Sequence, residues 1–147
     1  MSFKPILIVW GEPNSIFSEI LIKSFKIYKS QKPIVLIGSK KLLEFQINYL
    51  NINYKKNLIN VIEDNLVGIK KNKINIINID YKFKYAFEKI SKKSNSYIEK
   101  SFNKALKLMN TSKFTGMING PISKTNFLNF DWPALTLTLP NLSGTSL

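Results

Sequence analysis

The 147-residue chain has no cysteine, no histidine and, since all 22 of its basic residues are lysine, no arginine. Without cysteine there is no disulfide framework, thiolate zinc site, iron–sulfur cluster or cysteine nucleophile. Without histidine the commonest metal ligand and general base are missing, and with them every Ser-His-Asp triad. Any chemistry must rest on Lys, Asp, Glu, Ser, Thr, Tyr or backbone groups. Long apolar runs are also missing: Ile6-Leu7-Ile8-Val9-Trp10 is five residues, far below the roughly 18 that a spanning helix needs. A soluble, cytoplasmic protein with no membrane partner is expected. The six glycines form neither a G-x-G-x-x-G nor a G-x-x-x-x-G-K-[ST] fingerprint.

What remains is apolar enough to fold. With 44% hydrophobic and 12% aromatic residues, one domain with a sizeable core is expected. The net charge of +13 is entirely lysine against nine acids. Lys, Asn, Ile, Phe and Tyr share A/T-rich codons, so one compositional bias explains the lysines together with 17 Asn and 21 Ile. The lysines are scattered rather than gathered into a stripe, and arginine, the usual bidentate reader of guanine and phosphate, is missing. They are read as a solvated surface, with no specific nucleic-acid partner.

Pro5–Trp10 is a continuous apolar run closed by Gly11-Glu12-Pro13-Asn14, the pattern of a strand buried on both faces. From Ser15 the period becomes helical through Ile16, Phe17, Ile20, Leu21, Ser24 and Phe25, predicting a helix to about Tyr28. A second buried strand, Pro33–Gly38, leads to Ser39, which can cap a helix with the face Leu42, Leu43, Gln46, Ile47 and Leu50. Residues 57–67 and 73–79 suggest two or three short strands. Residues 94–110 read as a helix with Tyr97, Ile98, Phe102, Ala105, Leu106 and Met109 on one face, and Phe114–Ile118 as a strand. The alternation β-α-β-α predicts an α/β fold, part of a three-layer α/β/α arrangement with a largely parallel sheet. No lysine or isoleucine follows Lys124. Residues 1–129 are therefore set apart from a compositionally distinct tail, 130–147, which reads either as a terminal edge strand or as the product of a reading-frame change.

Two loops could carry chemistry. If the first and last strands are parallel, Gly11-Glu12-Pro13 and Gly120-Pro121-Ile122-Ser123-Lys124 both leave carboxyl ends, where open α/β sheets bind ligands. Glycine permits close backbone approach, proline stiffens the turn, and Lys124 supplies a compact charge for phosphate or an oxyanion. Both loops also read as ordinary strand-to-helix turns. Glu12 could contact a ligand or move a proton, or could satisfy backbone donors at the next helix start. The adjacent acids Glu63-Asp64 would point to opposite faces of a strand and read as a solvated turn.

The two loops, in this order and at this separation, resemble the 4-hydroxythreonine-4-phosphate dehydrogenase family of pyridoxal phosphate biosynthesis. Its strand, Gly-Glu-Pro, turn, Glu and helix appear as Ile6–Trp10, Gly11-Glu12-Pro13 and Glu19. Its Thr/Ser-Gly-Pro-x-x-Lys appears as Asn119-Gly120-Pro121-Ile122-Ser123-Lys124, with Asn at the first place. Ser15, Phe17 and Ser18 stand where the family has two Gly and a Pro. The resemblance covers residues 4 to about 129, the N-terminal part of a two-domain dehydrogenase whose chains run to more than twice this length. It implies oxidation of the phosphorylated amino acid 4-phosphooxy-L-threonine with NAD or NADP and a divalent metal, then decarboxylation to 3-amino-2-oxopropyl phosphate, in a homodimer. It also implies that Gly120, Pro121, Lys124 and Glu12 line the substrate. The family's metal-binding histidines have no counterpart in these 147 residues, so this chain alone is expected to be inactive. Two other readings stay open: a phosphate-ester-binding α/β module without catalysis, and a basic nucleic-acid-binding domain.

Overall fold

The computed structural model describes residues 3–27, 29–53 and 58–127. The tail 130–147 lies outside the described residues, as does Tyr28. The elements are β1 (Ile6–Val9), α1 (Phe17–Ile27), β2 (Ile34–Gly38), α2 (Lys40–Tyr49), β3 (Ile59–Val61), β4 (Ile74–Asn78), α3 (Asn95–Met109), β5 (Gly116–Asn119) and the single turn α4 (Lys124–Phe127). A short 3-10 turn, Lys92–Ser94, leads into α3.

All five strands form one parallel sheet in the order β3-β4-β2-β1-β5. The apolar runs sit at its centre because a strand covered on both faces must be apolar at every position. Ile8, Trp10 and Leu36 pack with Leu21, Ile22, Leu42 and Leu43 under α1 and α2. Leu7, Val9, Val35 and Ile37 pack with Ala105, Leu108 and Phe114 on the α3 side. Helices thus cover both faces, the expected α/β/α layering. Among the described residues no helix is long and apolar enough to cross a membrane.

Local patterns account for most elements. Ser39 caps α2 by accepting from the Leu42 N–H at 3.3 Å, and Leu42, Leu43, Gln46 and Ile47 are its buried face. The middle holds two strands, β3 and β4. Asn75, buried on β4, donates to the Ile34 carbonyl at 2.8 Å and accepts from the Lys70 N–H at 2.8 Å, fixing the turn before its own strand.

Three expectations shift. In α1 the buried residues are Ser18, Leu21 and Ile22, whereas Ile16 and Ile20 are 65% and 50% exposed. Small Ser18 lets the helix approach the sheet, so the inward stripe is rotated from the one the bulky residues suggest. In α3, Ser101 and Leu108 are buried while Leu106 and Met109 are only partly so. The last strand begins at Gly116 rather than Phe114; Phe114 is buried below α3 before the ladder starts. Glu63 and Asp64 are exposed, as a solvated turn requires, and Asp64 pairs with Lys104 at 2.6 Å.

Candidate functional site

β1 is the point where the strand order reverses: the chain leaves it for β2 on one side, and β5 pairs with its other edge in parallel register, Ile6 with Gly116 through Val9 with Asn119. The loops after β1 and β5 therefore emerge side by side at the carboxyl edge, the place where open parallel sheets form a crevice. They also touch. The Gly120 N–H donates to the Val9 carbonyl at 2.7 Å and the Glu12 N–H to the Pro121 carbonyl at 2.8 Å.

The glycines make this crossing possible. A Cβ on Gly120 would lie 1.9 Å from the Trp10 carbonyl oxygen. One on Gly11, at φ +79°, would lie 2.4 Å from the Pro121 oxygen. No side chain fits either gap, and the left-handed φ at Gly11 favours glycine independently. The close approach anticipated at these glycines is thus made by one loop to the other.

Glu12 is 2% exposed, and both carboxylate oxygens are engaged within the protein. Oε1 accepts from the Asn14 N–H at 3.1 Å. Oε2 lies 2.7 Å from Ser94 Oγ, a hydroxyl that also reaches the Ser91 carbonyl at 3.0 Å. Glu12 therefore ties the loop after β1 to the start of α3. Asn14 extends the tie: its Nδ2 donates to the Tyr81 hydroxyl at 3.2 Å and its Oδ1 accepts from the Glu88 N–H at 3.1 Å. Gln46 Nε2 donates to the carbonyls of Pro13 (2.8 Å) and Ala86 (2.6 Å). Glu88 is held by Lys93 at 2.6 Å, and that hydrogen bond keeps its carboxyl below the usual range.

The second loop is fixed from the α3 side. Ile122 and Phe127 pack with Tyr97 and Ile98, and Asn95 Nδ2 donates to the Asn126 carbonyl at 3.0 Å. Tyr97 is buried with its oxygen accepting from the Ser39 N–H at 3.1 Å; burial pushes its phenol well above the ordinary value. Lys124 and Pro121 are exposed while Gly120 is buried. The Lys124 ammonium has no ion-pair partner among the described residues. The crossing loops thus carry exposed Pro121 and Lys124 beside buried Gly120, with the buried Glu12 carboxylate bonded within the protein. Ser94, Asn14 and Tyr81 were not singled out by sequence; Ser94 meets Glu12 across 82 positions and Tyr81 meets Asn14 across 67, which no local spacing reports.

The family model described as pyridoxal phosphate biosynthetic protein PdxA matches residues 29–145. The chain belongs to the PdxA family. No curated protein is matched by the sequence. Among solved structures, the chain is similar to a 4-hydroxythreonine-4-phosphate dehydrogenase from Klebsiella pneumoniae (TM-score 0.68, 20% identity, 83% of this chain and 38% of that one). It is similar to one described as putative from Salmonella typhimurium (TM-score 0.67, 18% identity, 83% and 38%). A third, from Burkholderia phymatum, gives TM-score 0.66 at 20% identity, covering 84% and 38%. The chain spans 38% of the length of these structures. At such identities they share the fold, which agrees with the α/β architecture described above.

The sequence resemblance implies a divalent metal. The residues here do not fit one: the chain has no His or Cys, and among the described residues no three carboxylates gather. A nicotinamide cofactor is implied by the dehydrogenase family.

Proposed function

We propose that this PdxA-family chain forms part of the substrate wall of a dehydrogenase acting on 4-phosphooxy-L-threonine. In the complete reaction the hydroxyl carbon is oxidised, NAD or NADP taking up the hydride. The resulting 3-oxo acid loses carbon dioxide to give 3-amino-2-oxopropyl phosphate. What this chain's residues do is bind and orient. Lys124, exposed and without an ion-pair partner, takes the phosphate as a compact cation, making charge-assisted hydrogen bonds to its oxygens. Gly120 and Pro121 set the height of the loop that carries it. Glu12 acts through the loop: its carboxylate anchors Gly11–Asn14, whose Glu12 N–H in turn holds the Pro121 carbonyl. The observation that carries this reading is the hydrogen-bonded crossing of the two family motifs at the carboxyl edge of β1 and β5.

The 147 residues alone bind the phosphate ester without oxidising it, because they offer no histidine and, among the described residues, no acidic cluster for a divalent cation. That observation also favours a second reading, a phosphate-ester-binding module without catalysis. The test pairs NAD(P)H formation from 4-phosphooxy-L-threonine and a divalent metal with calorimetric binding of the same ester. Binding that Lys124→Ala weakens, without turnover, is expected. Robust turnover would contradict the division of labour, and binding indifferent to Lys124→Ala would contradict the site.

A further inference from the structure

Lysines that are scattered along the sequence are gathered by the topology. Every strand of a parallel sheet starts at the same edge, here the amino edge. The segments that enter β1, β2, β4 and β5 meet there, and they bring Lys4, Lys32, Lys71 and Lys113. The end of α1 adds Lys26 and, just beyond it, Lys29. These six line two crevices of about 430 and 550 Å³. The crevices share the segment 30–34: Ser30, Lys32 and Ile34 line the first, Gln31 and Pro33 the second. No described acid lines either one, and none of the six lysines has a carboxylate partner among the described residues. Lys32 is half-buried and donates to the Thr115 hydroxyl at 3.3 Å; the other five are exposed. The same edge also exposes apolar side chains. Ile27, the last residue of α1, is 86% exposed, Val67 73% and Phe3 48%. Phe3 lines the second crevice with Lys71 Nζ 5.9 Å from its ring centroid, and Val67 follows Leu66 of the same lining.

Single exposed apolar residues are ordinary; three of them among unpaired lysines, on an edge whose crevices hold no acid, mark an interaction surface. The helices α1, α2 and α3 end at this edge, and each C-terminus carries only about half a negative charge. That works against one small anion in one crevice, but is minor against six lysines facing an extended anionic surface. We propose that the amino edge docks on an anionic lipid bilayer. The lysines face its headgroups, while Ile27, Val67 and Phe3 enter the boundary between headgroups and acyl chains. Such a peripheral contact needs no spanning helix. Lysine suffices for a diffuse negative surface, whereas nucleic-acid grooves draw on bidentate arginine and stacked aromatic rings. This chain has no arginine, and two of the three projecting apolar residues are aliphatic. The assignment does not depend on Lys124 or on the substrate proposed for its loop.

The test is co-sedimentation of the 147-residue chain with vesicles of phosphatidylcholine, alone or with about 30 mol% phosphatidylserine, at about 0.15 M salt. Binding to the phosphatidylserine vesicles and none to phosphatidylcholine alone is expected. Lys26→Ala/Lys29→Ala and Lys71→Ala/Lys113→Ala should each weaken binding about tenfold or more, at roughly fivefold per lysine near the surface. Lys41→Ala/Lys100→Ala removes the same charge from the carboxyl edge, roughly 15 Å away by strand length and beyond the screening distance of about 8 Å. That pair should change binding less than about twofold. Ile27→Ser/Val67→Ser should weaken it about tenfold, the scale of losing two partly inserted side chains. All of these positions are exposed, so the variants fold, which an unchanged melting transition verifies. Equal losses from the amino-edge and carboxyl-edge pairs, or no binding to phosphatidylserine vesicles, overturn the docking edge. Indifference to Ile27→Ser/Val67→Ser overturns the bilayer assignment. So does a single-stranded oligonucleotide bound more tightly than the vesicles with the same lysine dependence.

Discussion

The two edges of the sheet are both lined with lysine, yet they differ in the direction of the backbone. At the amino edge Lys26, Lys29 and Lys32 surround a cavity of about 430 Å³ with Phe25 and Ile34. This cavity lies by the end of α1, where helix carbonyls point outward and the dipole is negative. At the carboxyl edge α1, α2 and α3 all begin, so their positive dipole ends face the same side as Lys41, Lys100 and Lys124. A parallel sheet with right-handed crossovers enforces this asymmetry. In a chain with 22 lysines, residue type alone marks no site; the edge on which a lysine stands does.

The largest expected effect compares the two ends of β5. Gly120→Ala must displace the Trp10 carbonyl 1.9 Å away, whereas a Cβ on Gly116 meets nothing within 4 Å. Urea unfolding should show Gly120→Ala losing about 3 kcal/mol or more, and Gly116→Ala staying within about 0.5 kcal/mol. Equal effects would mean that the loops do not cross as described. Next is Glu12→Gln, which replaces the charged acceptor of the Asn14 N–H and Ser94 hydroxyl bonds by a neutral amide and should cost about 1–3 kcal/mol. Asp64→Asn, which breaks only an exposed pair with Lys104, should cost less than about 1 kcal/mol by the same measurement.

Lys124→Ala should change stability by less than about 0.5 kcal/mol while weakening phosphate-ester binding about tenfold. Lys29→Ala should change neither. The smallest effect is electrostatic. The Lys93 hydrogen bond lowers the Glu88 carboxyl in the folded protein, so the unfolded chain binds that proton more readily. The contribution is present above the unfolded carboxylate range and is lost as pH falls through the folded value. Glu88→Gln should therefore lower the neutral region of a stability–pH curve slightly and leave its acid extreme unchanged, which flattens the limb between them.

Much of this was legible in sequence because it is local. The runs Pro5–Trp10 and Pro33–Gly38 fitted buried strands, Ser39 announced its helix, and Gly-Glu-Pro with Gly-Pro-x-x-Lys marked the two loops that cross. The inward face of α1 was not legible, because Ser18 is buried for its small size while Ile16 and Ile20 remain exposed. Nor was the partner of Glu12. A carboxylate after a strand suits ligand and backbone equally, and only the return of the chain 82 residues later brings Ser94 to it. The Asn14–Tyr81 and Gln46–Pro13 bonds were hidden for the same reason, since polar residues that lock loops across long separations leave no periodic signature.

The most direct test of the carboxyl-edge assignment is a backbone and lysine NMR titration of the chain with 4-phosphooxy-L-threonine at about 0.15 M salt. Saturable shifts at Gly11–Asn14 and Gly120–Lys124, with Lys26, Lys29 and Lys32 unmoved, are the predicted result. Shifts of equal size at the amino-edge lysines, or none at Gly120–Lys124, would contradict it.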